Sequence, residues 1–129
     1  MVIEKLIIGG TGTEAANGKT FRVNEPAAGH PLAEVSEGGA EDAWRAVDVA
    51  HRAFEEGAWT RTPATQRGRV LLRASTIVRE RLEELARLEA RNVGKPIRDA
   101  RDEMGLVADT LEYWGGAANK VFGETVPVQ

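Results

Sequence analysis

The sequence contains no cysteine, and that absence excludes a disulfide framework, a thiolate metal site and nucleophilic catalysis by a thiol of this chain. Histidine is scarce: His30 and His51 sit in segments of different pattern, and neither has a partner motif beside it. Neither a zinc site nor a Ser-His-Asp arrangement is therefore indicated. Positive charge is not in excess, because 17 Lys and Arg stand among 20 Asp and Glu, for a formal net charge of −3. Without a basic stripe to exchange counterions with phosphates, nucleic acid is not an expected partner. Long apolar runs are missing too. The longest purely aliphatic one, Leu6-Ile7-Ile8, is far too short to span a bilayer, so no membrane is expected. The N-terminus lacks the charged-then-apolar order of a secretory leader, which makes the cytoplasm the expected location.

What is present suits a soluble globular chain: apolar residues make up 42% and charged residues 29% of 129 positions, enough for one domain or a substantial piece of a larger one. The first third reads as short strands and turns. Lys5 to Ile8 is apolar and β-branched and runs into Gly9-Gly10-Thr11-Gly12. Asn17-Gly18 is a hairpin signal, because both residues tolerate positive φ, with Thr20-Phe21-Arg22-Val23 as the returning strand. A second turn at Pro26-Ala27-Ala28-Gly29 leads into Leu32 to Val35.

From Ala40 the period becomes helical. Ala43, Val47, Ala50 and Phe54 form one apolar face, and Gly57 is the expected stop. Thr62 is placed to cap the next helix, with Pro63 at its first position. Val70, Leu71, Ala74, Ile77 and Val78 predict its buried stripe, continued by Leu82, Leu85 and Leu88, while Glu83 and Arg87 stand at a supportive i,i+4 spacing. Gly94-Lys95-Pro96 breaks this helix. A last one follows, with Ile97, Ala100, Met104, Val107, Leu111, Trp114, Ala118 and Val121 predicted on one side. Gly115-Gly116 within it suggests close packing against a neighbour.

Two glycine motifs invite a chemical reading, and each has a plainer one. Gly10 to Ala15 matches the G-x-G-x-x-A form of a dinucleotide fingerprint, and Glu34 lies near where a ribose-binding acid would be sought. The mechanism needs a helix N-terminus facing the pyrophosphate, but Asn17-Gly18 leaves no room for one, so a glycine-rich hairpin is expected instead. Gly94-Lys95 resembles a phosphate loop, yet Pro96 stands where Ser or Thr must bind magnesium and Glu89 where a glycine is required. Trp44, Trp59 and Trp114 are expected to be packing anchors.

The segments taken together resemble the aldehyde dehydrogenase family. Phe21 to Gly29 followed by Ala33-Glu34-Val35 looks like its "F-x-V-x-N-P-A-T-G … A-x-V" segment. Ala46-Val47 to Ala53-Phe54 is similar to its "A-V-x-x-A-x-x-A-F" helix. Trp59, Pro63, Arg67 and Val70-Leu71-Leu72-Arg73 resemble "W … P … R … L-L-R". Leu88-Glu89 with Gly94-Lys95-Pro96 resembles "L-E … N-G-K-P". Tyr113-Trp114-Gly115-Gly116 and Gly123 to Pro127 resemble "Y-Y-A-G" and "G-E-T-I-P". The blocks occur in family order over nearly the whole chain, and their details look most like members acting on betaine aldehyde or similar aldehydes.

The resemblance implies an α/β fold in which this chain is the N-terminal part of the nucleotide-binding domain. Its parts are a β-hairpin region over 1–38, three to four amphipathic helices over 39–122 and an extended tail over 123–129. It also implies oxidation of aldehydes to carboxylic acids with NAD or NADP, by a Cys thiolate, a Glu-activated water and an Asn-assisted oxyanion site. Those residues and the nucleotide-binding glycines lie further along in the family, so none is carried over here. The chain alone is expected neither to turn over nor to hold the cofactor tightly.

Peripheral features do carry over. Val23, Asn24 and Asn92 match a monovalent cation site, with an amide at Asn92 replacing the family's acid. Leu106, Thr110 and Tyr113 match one wall of the aldehyde entrance tunnel, although they read equally as core-facing positions. Glu25 replaces the usual Asn before Pro26 and is expected to alter a turn hydrogen bond. The implied partner is the remainder of an aldehyde dehydrogenase chain, or a larger homologous subunit of a split enzyme. A free-standing helical interaction module is the competing reading. Uncovered apolar faces imply self-association of the isolated chain.

Overall fold

Two adjacent glycines set the first reversal of the chain. The computed structural model describes residues 3–124. In it Gly9 and Gly10 both have positive φ (63° and 76°), as a two-residue type I′ loop requires. They join β2 (Leu6–Ile8) to β3 (Thr11–Thr13), with Ile8 opposite Thr11. A second sheet has the order β1-β5-β4. In it β1 (Ile3–Glu4) runs parallel to β5 (Pro31–Ser36), and β4 (Thr20–Asn24) runs antiparallel to β5. The β4–β5 connection is closed by Glu25 N–H donating to the His30 carbonyl at 2.8 Å and Gly29 N–H to the Glu25 carbonyl at 2.7 Å. A register shift falls between Val23 and Asn24.

The expectation at Asn17-Gly18 needs correcting. These residues do turn the chain, with Gly18 N–H donating to the Ala15 carbonyl at 2.9 Å, but β3 and β4 on either side are not paired with each other. The shorter glycine loop has already given β3 to β2, and β5 takes β4.

α1 (Ala40–Glu55) starts at Gly39 with a capping interaction from Asp42, and it ends as Gly57 implies: the Gly57 N–H donates to the Ala53 carbonyl at 3.1 Å. After a 3₁₀ turn at Trp59–Arg61 comes α2 (Ala64–Glu80). Its cap is Pro63; the Thr62 hydroxyl instead donates backward to the Ala58 carbonyl at 2.8 Å, so Thr62 closes the preceding turn. The single helix expected up to Gly94 is two. Arg81 leaves helical geometry between α2 and α3 (Leu82–Val93). α3 ends at Gly94, whose left-handed φ of 76° is the conformation glycine alone adopts without penalty. α4 (Ile97–Ala117) begins after Pro96 and packs along both α2 and α3. Of the tail expected over 123–129, residues 125–129 lie outside the described residues.

Small residues make the core: among the described residues, Ala15, Ala86, Ala100 and Ala108 are the buried apolar side chains. On α4 the stripe against its neighbours is Ile97, Ala100, Met104, Ala108, Leu111, Gly115 and Ala118. The expected stripe shared five of these but chose Val107 and Trp114, which are 41% and 59% exposed. Both flanks of this helix are apolar, and close approach to α2 selects the smaller one, since the separation of packed helices follows the side chains at the contact. Val121, also expected there, lies beyond the helix and is exposed. Val70 on α2 and Leu88 on α3 are likewise more than half exposed.

The larger departure is α1. Ala43, Val47, Ala50 and Phe54 all face solvent among the described residues, and Asp42, Ala46 and Val49 turn inward. Trp44, Trp59 and Trp114, expected as anchors, are each more than half exposed. The helix is amphipathic as its period predicts, but the described residues do not cover its apolar face.

Candidate functional site

The dinucleotide fingerprint folds as a hairpin. Gly10 is a turn residue, Thr11–Thr13 is strand β3, and the next helix, α1, begins only at Ala40. Helix N-termini bind phosphate through free N–H groups, but here a side chain of the protein fills the cradle. Asp42 is buried and accepts from Gly39 N–H at 3.0 Å, from Ala16 N–H at 3.1 and 3.2 Å, and from Arg45 Nη2 at 3.2 Å. The Gly39 N–H bond is the main reason its carboxyl is held below the ordinary range, assisted by Ala16 N–H and the Arg45 charge and opposed by burial. Glu34, the would-be ribose ligand, accepts the Thr20 hydroxyl at 2.6 Å within the sheet. The geometry of these residues does not fit a nicotinamide dinucleotide.

Gly94-Lys95 is a helix break, as expected. Lys95 bridges Glu89, at 2.9 Å, and Glu103, and this raises its pKa, Glu103 being the larger cause.

Two of the three residues matched to a cation site come together. Val23 and Asn92 line one recess of about 520 Å³ between the three-stranded sheet and α3, with Glu4 and Arg91 also on its walls. Asn24 sits at the register shift, facing solvent, and is not among the lining residues. Carbonyl and carboxamide oxygens suit a hard cation, but the Arg91 guanidinium places positive charge on the same wall. Arg91 is paired with Glu25 at 3.2 Å. The Glu25 side chain therefore reaches α3, and the turn is closed by the Glu25 backbone alone.

Leu106, Thr110 and Tyr113 share one face of α4 and point away from α2 and α3. Leu106 is 63% and Tyr113 68% exposed, and the Thr110 hydroxyl donates to the Leu106 carbonyl at 2.8 Å. Tyr113 meets Trp114 edge-on, with centroids 5.2 Å apart. None of the three therefore faces the core formed by the described residues; together they make an exposed wall of two apolar side chains and a hydroxyl.

Sequence spacing found the Glu83–Arg87 pair, present at 2.8 Å, but not its third member. Arg101 of α4 donates Nε and Nη2 to the two oxygens of Glu83, each at 2.8 Å. That fork is the main reason the Glu83 carboxyl is pulled to about 2, with Arg87 adding to it. Arg79 ties α2 to α4 through one nitrogen, Nη2, which donates to Asp109 at 2.6 Å and to Glu112 at 2.9 Å. Among the described residues no group of three or more His, Asp or Glu is placed to hold a metal, and no helix is long and apolar enough to cross a membrane.

Comparison with known proteins gives a consistent answer. The model of the aldehyde dehydrogenase family matches residues 13–129. A mitochondrial benzaldehyde dehydrogenase of Antirrhinum majus is 41% identical over 125 residues, covering 96% of this chain and 23% of its own length. Among solved structures, a protein described as a putative aldehyde dehydrogenase from Burkholderia cenocepacia superposes with a TM-score of 0.91 at 43% identity, covering 97% of this chain and 26% of its own. The betaine aldehyde dehydrogenase of Staphylococcus aureus, solved with NAD+, superposes with a TM-score of 0.91 at 34% identity, over 97% of this chain and 25% of its own. The chain spans about a quarter of the length of the relatives it matches.

Proposed function

The chain belongs to the aldehyde dehydrogenase family, corresponding to the N-terminal region of that fold, and we propose that it is the supporting edge of an enzyme that oxidises aldehydes to carboxylic acids with NAD or NADP. The observation that carries this reading is the agreement of sequence and backbone over nearly the whole chain with proteins of that activity. The nicotinamide cofactor, when bound, supplies the hydride acceptor. The part played by these residues is to position. The β2–β3 hairpin rests on α1, where Gly9 stands 3.1 Å, measured from the site of an added Cβ, from Val49 Cγ1. Asp42 fastens that corner, and α4 presents the Leu106–Thr110–Tyr113 face to the path an aldehyde takes. The α1 face of Ala43, Val47, Ala50 and Phe54 is where the remainder of the nucleotide-binding domain packs, and the thiolate and general base are supplied by residues further along the family's chain.

A second reading, a subunit of a split enzyme that pairs with a larger homologous chain, is favoured by the same uncovered α1 face. Both readings are tested by assaying the chain with benzaldehyde or betaine aldehyde and each nucleotide. It is assayed alone, and again after mixing with the remaining three quarters of the Burkholderia relative. No reduced nucleotide is expected from the chain alone, and aldehyde-dependent reduction is expected from the mixture. Turnover by the isolated chain would contradict the proposal, and an inert but stably associated mixture would point to a non-catalytic interaction module.

A further inference from the structure

Between α3 and α4 opens a recess of about 580 Å³ lined by Arg87, Ala90, Arg91, Ile97 and Arg101. Three guanidinium side chains and two apolar ones make its walls, and neither carboxylate that pairs with those arginines is among the lining residues. Glu83 alone answers both Arg101, through a fork at 2.8 and 2.8 Å, and Arg87, at 2.8 Å. Arg91 commits only its Nε, to Glu25 at 3.2 Å. Of the neighbouring acids, Glu84 pairs with Arg81, Glu89 and Glu103 with Lys95, and Asp99 with Arg98, while Asp102, exposed beside Arg101 in sequence, makes no ion pair with the lining arginines among the described residues. Three lining cations thus share two directly paired carboxylates, and their charge is incompletely answered by ion pairs.

The chemistry of the walls selects a ligand class. The Arg101 fork and one Arg87 nitrogen are given to Glu83 and Arg91 Nε to Glu25, and the remaining guanidinium N–H groups suit the charged, two-oxygen face of a carboxylate. Ala90 and Ile97 are half-buried and offer apolar contact beside that charge. A neutral hydrocarbon would leave the guanidinium groups without an anion, and inorganic phosphate would leave the apolar wall in water. The volume lies within the range that small-molecule sites occupy, roughly 300–1,000 Å³. We propose that this recess binds a small monocarboxylate with an apolar body, its carboxylate on the Arg87, Arg91 and Arg101 side chains and its body on Ala90 and Ile97. The inference uses only residues of this recess and does not depend on the catalytic reading above.

The test is a titration of the full chain with benzoate at low ionic strength, followed through the methyl resonances of Ala90 and Ile97. Saturable shifts at those two methyls are expected, with an affinity on the order of millimolar, as suits an open and partly screened site. Arg101→Met removes one of the three charges over the recess and should weaken binding roughly fivefold. Arg87→Met, at a side chain 67% exposed, tests the charge with little risk to folding and should weaken it by a similar factor. Benzyl alcohol should leave the methyls unmoved. Three outcomes would overturn the proposal: no saturable shift with benzoate, binding by both variants as tight as that of the parent chain, or inorganic phosphate binding as tightly as benzoate at the same methyls.

Discussion

Gly68 of α2 and Gly115 of α4 face each other so closely that a Cβ on Gly68 would lie 2.5 Å from the Gly115 carbonyl oxygen. A Cβ on Gly115 would lie 3.0 Å from the Gly68 carbonyl oxygen and 3.0 Å from Leu72 Cγ. Both glycines are buried, and each added Cβ would meet the other glycine's carbonyl oxygen, a backbone atom that cannot swing aside. Gly68→Ala and Gly115→Ala should each destabilise the fold by about 1–3 kcal/mol, the usual range for overpacking. Gly105 and Gly116 on the same helix have nothing within 4 Å of an added Cβ, so alanine there should stabilise by roughly 0.5–1 kcal/mol through helix propensity. Urea midpoints of the four variants check the contrast; equal effects at all four would refute the close crossing.

Asp42 makes a second prediction, at acid pH. Its carboxyl is held below the ordinary 3.8, chiefly by the Gly39 N–H bond and further by Ala16 N–H and Arg45. A depressed folded-state pKa contributes stability that is fully present above the unfolded value and is lost as pH falls through the folded one. Asp42→Asn should therefore lower thermal stability at neutral pH, and the gap between variant and parent should narrow below about pH 4. Amide exchange at Ala16 should quicken in the variant at neutral pH, because that N–H loses its charged acceptor. An unchanged Ala16 rate would remove Asp42 from the role of fastening.

Glu83 behaves with the same sign across the α3–α4 contact. Its carboxyl is pulled from 4.5 to about 2 by the Arg101 fork first, with Arg87 assisting, so the linkage is fully present above about 4.5 and is lost as pH falls toward 2. These groups are exposed and screened, so the effect should be modest and salt-dependent. A double-mutant cycle of Glu83→Gln with Arg101→Met should show a favourable coupling near neutral pH that shrinks in high salt. A coupling indistinguishable from zero at low salt would show the fork to be energetically silent.

The pattern of what the sequence disclosed follows from what each signal encodes. Glycine positions spoke correctly where the backbone alone decides, at Gly57 and Gly94. They misled at Asn17-Gly18, because turn chemistry says that the chain reverses but not which strand receives it. Periodicity found α4 and five of its seven inward residues. It missed Ala108 because hydrophobicity ranks Val107 higher, and Gly115 was signalled by the Gly115-Gly116 pair and not by periodicity, since close packing against Gly68 rewards absence of bulk. On α1 the periodic face of Val47 and Phe54 was real, but a helical pattern cannot say whether its cover lies among the same 129 residues. The site residues divide similarly. Val23 and Asn92 share a recess although they are far apart in sequence, while Arg101 was invisible as a partner of Glu83, since nothing local links α3 to α4.

The uncovered α1 face yields a fourth prediction. Phe54 is 67% and Val47 58% exposed, so Val47→Glu and Phe54→Glu should leave the stability of the isolated chain within about 0.5 kcal/mol. They should also reduce its concentration-dependent self-association in sedimentation velocity. A large loss of stability would mean that these side chains are already packed.

The most direct test of the central claim is a chimera in which this chain replaces the matching N-terminal quarter of the Burkholderia relative. The account predicts NAD-dependent oxidation of an aldehyde by the chimera, lost on Val47→Glu although the isolated segment still folds. A chimera that folds and binds NAD but oxidises no aldehyde accepted by the parent, or one indifferent to charge on the α1 face, would contradict it.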